Sequence, residues 1–486
     1  MNLATIVEEH DADRPALISR GRVTTYGELR DQVARMRGAL ATRGIAPGDR
    51  VAILAANNWY FVSAYLAVLG AGAIAVPLNP QSPPAEVERE LATTGAKLAL
   101  VGPSGRELAE AVDRGALPDY EGVVDVADLL AADPAPLVDR AADDVAVLLF
   151  TSGTAGAPRP AMLTHGNLSA NLDQVLANSA RPHGVDEVAL AVLPLFHVFG
   201  LNAVLGVTLR VGGTVVLVER FDPHSTLAEV AEHGVTVLSG VPTMWAAWAA
   251  LPDVAPAALA SVRDAVSGAA ALDPAVRRAV RDRLGLDLTE GYGLTEASPA
   301  VTSGLGHDAP DGSIGVPLPG VQVRLVDTEG QDALVGDPGE IWVRGPNVFA
   351  GYWQDPEASA AALTPDGWLR TGDTAVVDDD GFLWLVDRTK DVIIVSGFNV
   401  FPGEVEDVLA MHPAVEAAAV VGVPHPHSGE AVRAYVVVRA GAHVDEDALV
   451  EHACRHLARY KCPSSIAFVD ELPHGLSGKL LRRALR

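Results

Sequence analysis

A chain of 486 residues is too long for one hydrophobic core, because single cores stop growing near ~250–300 residues, so at least two domains are expected. Hydrophobic residues make up 49% and aromatics only 5%, a globular composition whose core is built largely from Ala, Val and Leu. With 36 basic against 62 acidic side chains the formal charge is −26, a field that repels nucleic acid and anionic membrane, so nucleic-acid binding is set aside.

Residues 1–20 carry Glu8, Glu9, Asp11 and Asp13 and no apolar signal-peptide core. No uninterrupted apolar run reaches the ~18 residues of a spanning helix, so no membrane span is expected and a cytoplasmic location is the default. Along the chain, "TYGELRDQVARMRGALATRG" opens with Thr25-x-x-Glu28, a capping box. Leu29, Val33, Met36 and Leu40 then recur at helical spacing, and Gly44 stops the helix. "VLGAGAIAVPLNP" contains Gly70-x-Gly72-x-x-Ala75, which mimics a dinucleotide fingerprint. Pro77 follows where a helix should run, so tight packing accounts for the glycines better. "VAVLLF", "VALAVLPLF", "TVVLVE", "VTVLSG" and "VRDAVSG" are apolar runs without alternation, as strands covered on both faces should be. "LDPAVRRAVRDRLG" predicts a helix with Asp273 as N-cap, Pro274 in its first turn and Gly285 as stop.

This order implies layered α/β subdomains with mostly parallel sheets. From about residue 310 the texture changes to short strands separated by Gly, Pro and Asp turns, which predicts a distorted β-barrel or meander. After Asp387 a compact α+β pattern follows. The expected division is therefore a large N-terminal domain, 1–386, and a small C-terminal domain, 387–486. The two cysteines, Cys454 and Cys462, lie in the latter, eight apart and without a CxxC, which predicts neither a disulfide framework nor a zinc site. Lysine is scarce: Lys97, Lys390, Lys461 and Lys479 are the whole set, and three of the four fall in the last hundred residues.

"LLFTSGTAGAPRPAMLTH" (148–165) stops a hydrophobic run at a loop of Ser, Thr and Gly. Exposed backbone N–H groups and hydroxyls there would cradle phosphate oxygens. Arg159 adds a cation with a forked donor set. The spacing is not that of a Walker loop. By composition alone, an ordinary turn stands beside the phosphate-loop reading.

Taken with other stretches, this loop resembles the phosphate loop of the adenylate-forming superfamily: acyl-CoA synthetases, peptide-synthetase adenylation domains and beetle luciferases. The other matches run in the family's order through nearly the whole chain. They are "TTYGEL" (24–29), "LGAGAIAVPLNP" (69–80), "PLFHVFG" (194–200), "SGAA" (267–270), "EGYGLTEAS" (290–298), "TGD" (371–373), "DRTKDVIIVSGFNVFPGEVE" (387–406) and "LPHGLSGKLLRR" (472–483). The resemblance implies two half-reactions. A carboxylate and ATP give an acyl-adenylate and pyrophosphate, and a thiol, usually coenzyme A, then displaces AMP to give a thioester.

The resemblance also implies roles. Thr151, Ser152, Gly153, Thr154 and Gly156 would wrap the β- and γ-phosphates beside Arg159. Arg159 and Pro160 replace the family's usual Lys and Gly, which keeps the charge but removes an N–H. Tyr292 would stack on adenine, Gly268 and Ala269 would line its slot, and Glu290, Gly291 and Gly293 belong to the same AMP-binding stretch. Thr295 would bond the α-phosphate, and Glu296 would hold Mg²⁺, a hard cation that takes oxygen ligands. Asp373 would accept the ribose hydroxyls, with Arg388 assisting. Lys479 would bridge the acid and the α-phosphate. Asp387 matches the hinge about which the C-terminal domain turns, after which Ser396, Gly397 and Phe398 would line the coenzyme A channel. His197 would orient or gate the acid, and Val241, Met244 and Trp245 would form an apolar wall.

The implied activity is an acyl-CoA synthetase using ATP, Mg²⁺ and coenzyme A on an apolar acid. Ile394 stands where aryl-acid ligases often carry Lys, which tilts the expectation from aryl acids toward fatty acids. "PLFHVFG" has no Asp for an amino-acid ammonium, which disfavours an adenylation domain of a peptide synthetase. A ligase loading an acyl carrier protein, and an aryl-acid ligase, are the alternatives. A luciferase-like oxygenase and a binding protein with a decayed site are weaker ones. A monomer or homodimer is expected.

Overall fold

The computed structural model describes the chain apart from residues 83, 114, 116, 118, 152–158, 180–181, 253, 255, 389–392, 396–397, 401, 426–427, 458, 474–479 and 486; for 85, 256, 387–388, 394, 398–399, 404, 429, 460 and 483 it describes the backbone alone. Two compact units emerge: Met1–Val323 with Val343–Arg370, and Arg324–Trp342 with Thr371–Arg486.

In the first unit the strands are β1 (Pro15–Ser19), β2 (Arg22–Thr25), β3 (Arg50–Leu54), β4 (Ile74–Pro77), β5 (Leu98–Val101), β6 (Gly122–Asp125), β7 (Val145–Phe150) and β8 (Pro160–Thr164). They continue with β9 (Val188–Ala191), β10 (Thr214–Leu217), β11 (Val237–Gly240), β12 (Asp264–Ser267), β13 (Leu288–Gly293), β14 (Ala300–Ser303) and β15 (Val316–Pro317). One sheet runs β6-β5-β3-β4-β7-β8, parallel until β8, which returns antiparallel to β7. The other runs β15-β14-β13-β12-β11-β9-β10-β1-β2, with a parallel centre from β1 to β13 and antiparallel edges. The unalternating apolar runs become buried strands: every residue of β4, β5 and β10 is buried.

Local signals place the helices. Thr25 and Glu28 form the reciprocal capping box of helix Tyr26–Thr42, whose buried face is Leu29, Val33, Met36 and Leu40. Asp273 caps helix Pro274–Leu284, and Gly285 ends it at φ 68°. The glycines of "LGAGA" serve packing. A side chain at Gly70 would meet Arg37 Cδ at 2.8 Å, and Gly72 turns the chain at φ 76° before β4.

The second unit holds most of a four-stranded sheet, β16 (Gln322–Val326), β17 (Gly339–Arg344), β18 (Leu369–Val377) and β19 (Leu383–Arg388), in sequential, meander order. Its other sheet has β20 (Ile393–Val395), β21 (Phe398–Val400), β22 (Val415–His425), β23 (Gly429–Val438) and β24 (Ser465–Phe468) in the order β21-β20-β23-β22, with β24 parallel on β23. Helices Pro402–Ala410 and Glu446–His456 cover it, enclosing Val405, Leu409, Val420, Val432 and Leu449. One expectation is corrected here. Cys454 and Cys462 are bonded as a disulfide with Cα atoms 5.4 Å apart, because the chain leaving helix Glu446–His456 turns straight back past its last turn.

Candidate active site

The Ser/Thr/Gly stretch lies in sequence between two paired antiparallel strands, β7 and β8. Thr151 N–H donates to Arg159 O at 2.9 Å and closes its base. Ser152, Gly153, Thr154 and Gly156 lie outside the described residues. Pro160 is the first residue of β8, the edge of its sheet, where a missing N–H is tolerated. The half-exposed Arg159 guanidinium donates through Nε to Asp355 Oδ2 at 3.0 Å. Its two terminal nitrogens are not part of that bond.

The parallel centre of the larger sheet brings the ends of β9, β11, β12 and β13 to one side, the edge at which open α/β sheets bind ligands. Gly240, Gly268 and the stretch 290–293 are there, and Gly268 N–H donates to Gly240 O at 3.2 Å. Ala269 adopts φ 68°, a left-handed conformation for a non-glycine, immediately beyond β12. Gly291 and Gly293 are required sterically: a Cβ would meet Thr302 O at 2.9 Å and Pro299 O at 2.4 Å. Tyr292 is buried between them on β13.

Glu290 and Glu296 separate sharply. The Glu290 carboxylate is buried, bonded to the buried Arg277 guanidinium and to Leu272 N–H. Its side chain is therefore already engaged inside the fold. Thr295 and Glu296 open a short 3₁₀ turn, Thr295–Ala297. Glu296 Oε1 accepts from the Tyr352 hydroxyl at 2.7 Å, and among the described residues no cationic side chain pairs with it. Burial, followed by the Glu296 charge, raises the Tyr352 phenol well above its ordinary range, so it stays a proton donor. Among the described residues no three His, Cys, Asp or Glu side chains gather into a metal cage. Mg²⁺ carried with ATP needs none, since one or two carboxylates plus phosphate oxygens complete its shell. The half-buried Glu296 carboxylate, with no cationic side chain paired to it among the described residues, fits that donor set.

"PLFHVFG" leads from β9 into a π-helical turn, Phe199–Gly206. His197 is exposed and its ring lies 5.1 Å from that of Phe196. Phe199 covers Gly268, where a Cβ would approach Phe199 Cε1 to 3.0 Å. Val241 is half-buried and stands at the N-cap position of helix Pro242–Ala250, without a side-chain cap bond. Met244 is buried. Trp245 is fully buried, packs edge-on to Trp248 and donates to Val266 O at 3.3 Å, so its indole N–H is already used.

In the second unit Asp373, 9% exposed, sits directly across the ladder from Arg388, and Thr374 from Asp387. The "TGD" turn is held by Glu340, which accepts from Gly372 N–H at 2.9 Å, and by Thr371, which donates to Ile341 O at 2.7 Å. Only the backbone of Asp387, Arg388 and Phe398 is described. Ser396, Gly397 and Lys479 lie outside the described residues. Among the described residues beyond Lys479, Leu481 N–H donates to Pro473 O at 2.8 Å, and Arg482 pairs with Glu406 at 2.6 Å.

Two family models match in tandem, AMP-binding enzyme over residues 4–353 and AMP-binding enzyme C-terminal domain over residues 404–479. The chain belongs to the AMP-binding enzyme family. It is 42% identical to a feruloyl-CoA synthase of Amycolatopsis sp over 469 residues, covering 96% of this chain and 94% of that one. It is 37% identical to a long-chain-fatty-acid–CoA ligase of Yersinia pestis over 520 residues, covering 98% and 92%. Among solved structures, ATP-bound MatB from Rhodopseudomonas palustris superposes with a TM-score of 0.92 at 32% identity, covering 100% of this chain and 98% of that one. The o-succinylbenzoate coenzyme A synthetase of Bacillus subtilis, with ATP and magnesium ion, gives 0.87 at 31%, covering 100% and 99%.

Several residues around the site carry no signal in the motif stretches. Asn171 bonds both the N–H and C=O of Ala300, Asn202 donates to Ser298 O, and Asn347 donates to Ala297 O. Three buried amides thus hold the backbone that follows Glu296. A lone Asn inside an apolar helix, as in "FGLNAVLG", is the only sequence trace of this. Tyr352 and Asp355 fall in the same class.

Proposed function

We propose that this chain is an ATP-dependent acid–thiol ligase. It joins a carboxylic acid to AMP with release of pyrophosphate, then transfers the acyl group to coenzyme A with release of AMP. The observation that carries this reading is end-to-end likeness to relatives named as CoA ligases and synthases, within the AMP-binding enzyme family.

Three anionic species meet in the first step, so preorganised positive charge and oriented donors do most of the work. Arg159 and the loop from Thr151 through Gly156 hold the outer phosphates. Thr295 bonds the α-phosphate, and Lys479 bridges it to the acid as charge builds between them. Glu296 holds Mg²⁺, which neutralises phosphate charge when bound. Tyr292, Gly268 and Ala269 form the adenine slot, and Asp373 with Arg388 takes the ribose. Glu290 stays behind the slot as a structural partner of Arg277. The body 387–486 turns about Asp387 between the two steps. Ser396, Gly397 and Phe398 then border the pantetheine path. The enzyme works in the cytoplasm as a monomer or homodimer; no helix among the described residues is long and apolar enough to cross a membrane.

The acid is apolar and lies against His197, Val241 and Met244, with Trp245 behind them. A fatty acid suits the apolar wall and Ile394. An aryl acid is the second reading, favoured by the higher identity to the feruloyl-CoA synthase. One mass-spectrometric assay tests both. The full chain is incubated with ATP, Mg²⁺, coenzyme A and a pool of acids running from acetate through long-chain fatty acids to benzoates and cinnamates. An acyl-CoA product supports the two-step ligase and names the acid class. Acyl-adenylate without thioester moves the acceptor to a carrier protein, and no consumption of ATP defeats the reading.

A further inference from the structure

The segment Phe349–Asp355 touches both charged groups that face the triphosphate in the proposed function. Phe349 N–H donates to Glu296 O at 2.9 Å, and the Tyr352 hydroxyl to Glu296 Oε1 at 2.7 Å. Three residues later Asp355 Oδ2 accepts from Arg159 Nε at 3.0 Å. The segment is stitched to β8 between these points. Met162 N–H donates to Gly351 O at 2.9 Å, Ala350 N–H to Met162 O at 3.0 Å, and Trp353 N–H to Pro160 O at 2.8 Å. Gln354 bends the chain at φ 55°. That left-handed conformation is one a non-glycine residue seldom adopts. It lets Tyr352 and Asp355 bridge to each other while reaching different partners.

We propose that Tyr352 and Asp355 are positioning residues of the ATP site, a brace that sets Glu296 and Arg159 at a fixed separation. The inference rests on the reading of those two residues given above. Tyr352 occupies one oxygen of the Glu296 carboxylate, and the other would take the metal. Asp355 holds Arg159 through Nε alone, so the two terminal nitrogens keep a forked geometry for phosphate oxygens. Arginine can serve both partners at once because its donors are spread over a rigid plane. A lysine ammonium concentrates its donors at one point, which makes Arg the better residue beside Asp355.

Calorimetric titration of ATP into the full chain, without acid or coenzyme A, at a series of free Mg²⁺ concentrations tests this. Tyr352→Phe keeps the ring on Phe349, which it meets edge-on at 5.0 Å. Asp355→Asn keeps the cap of helix Pro356–Ala362, since Asp355 Oδ1 accepts from Ala358 N–H at 2.9 Å and an amide oxygen replaces it. A net hydrogen bond of ~1 kcal/mol corresponds to about fivefold. Tyr352→Phe is therefore expected to raise the Mg²⁺ concentration for half-maximal ATP binding about three- to tenfold. Asp355→Asn is expected to weaken ATP binding by a similar factor at saturating Mg²⁺, with the half-maximal Mg²⁺ unchanged. Combining Tyr352→Phe with Glu296→Gln should be no worse than Glu296→Gln alone, and unfolding midpoints should stay put. If Glu296→Gln shifts the Mg²⁺ dependence while Tyr352→Phe does not, the brace is overturned. If Glu296→Gln itself shifts nothing, the metal role of Glu296 fails, and the Tyr352 half of the brace with it. A Tyr352→Phe variant with a lowered unfolding midpoint and normal Mg²⁺ dependence marks Tyr352 as merely structural.

Discussion

Glu290 and Glu296 stand six residues apart in one stretch, and the molecule treats them in opposite ways. The interior of β13 buries Glu290 against Arg277, both under 10% exposed. The turn after β13 leaves Glu296 half-buried, held by a phenol hydroxyl. A buried carboxylate with a buried cation is already neutralised and has no charge to offer a ligand. A carboxylate held by a neutral hydroxyl is oriented without being offset by that partner's charge. Under the proposed function, the difference teaches that the partner, not the residue type, separates scaffold from site.

The largest expected effect breaks the scaffold side. Arg277→Met leaves Glu290 buried without its cation, which should cost about 3–5 kcal/mol in chemical denaturation. Glu290→Gln should cost less, because Arg277 keeps Leu288 O and Asp311. Equal losses from the two substitutions would break the comparison. On the site side, Glu296→Gln should leave stability within ~0.5 kcal/mol and lower kcat/KM for adenylate formation about a hundredfold, ~2.7 kcal/mol of transition-state stabilisation. Pyrophosphate release and denaturant melts report the two quantities separately.

These two glutamates also mark what the sequence makes legible. Helix ends at Thr25, Asp273 and Gly285 are readable because caps are local chemistry. The parallel strands are readable from unbroken apolar runs, and the motif stretches from their order. The contacts that sort Glu296 from Glu290 are not local. Tyr352 lies 56 positions from Glu296, and Asp355 lies 196 from Arg159. No spacing rule joins residues that far apart. Trp245, read from the sequence as pocket wall, is likewise placed by non-local contacts: its indole donates to Val266 O and packs edge-on to Trp248. The Cys454–Cys462 bond escaped for a related reason, since it depends on the path of one turn.

His165, which ends the "TSGTAGAPRPAMLTH" stretch, sharpens the comparison by adding a third way to bury a titratable group. It is fully buried, and its Nδ1 accepts from Leu3 N–H at 3.1 Å. Burial first, then the Arg140 charge, push its pKa down to about 4 from 6.5. Here the group escapes the cost of a buried charge by staying neutral. Between pH 6.5 and 4 the unfolded chain binds a proton that the native chain refuses, so this contribution is complete above 6.5 and lost as the pH falls. The loss is at most about 3 kcal/mol. His165→Asn, whose amide oxygen can take over the Leu3 bond, should flatten stability across that window. An unchanged pH profile would show that other groups govern acid unfolding.

The smallest effect concerns the apolar end of the site, where no charge is at stake and shape alone should decide. Phe199 lies over Gly268 so closely that a methyl there would sit 3.0 Å from Cε1 and 3.2 Å from Cζ. Gly268→Ala must therefore move the ring by a few tenths of an ångström, at a cost of about 1 kcal/mol. Phe199 begins the π-helical turn two residues after His197, so its displacement should be felt at the proposed acid pocket. Gly268 itself borders the proposed adenine slot. The expected result is a KM for the acid raised about three- to fivefold, the kinetic equivalent of that ~1 kcal/mol, with KM for ATP nearly unchanged. A rise confined to ATP would place the Phe199–Gly268 contact on the nucleotide side. The neutral contact would then constrain the same ligand as Glu296, and the division between charge-held and shape-held ends would have to be redrawn.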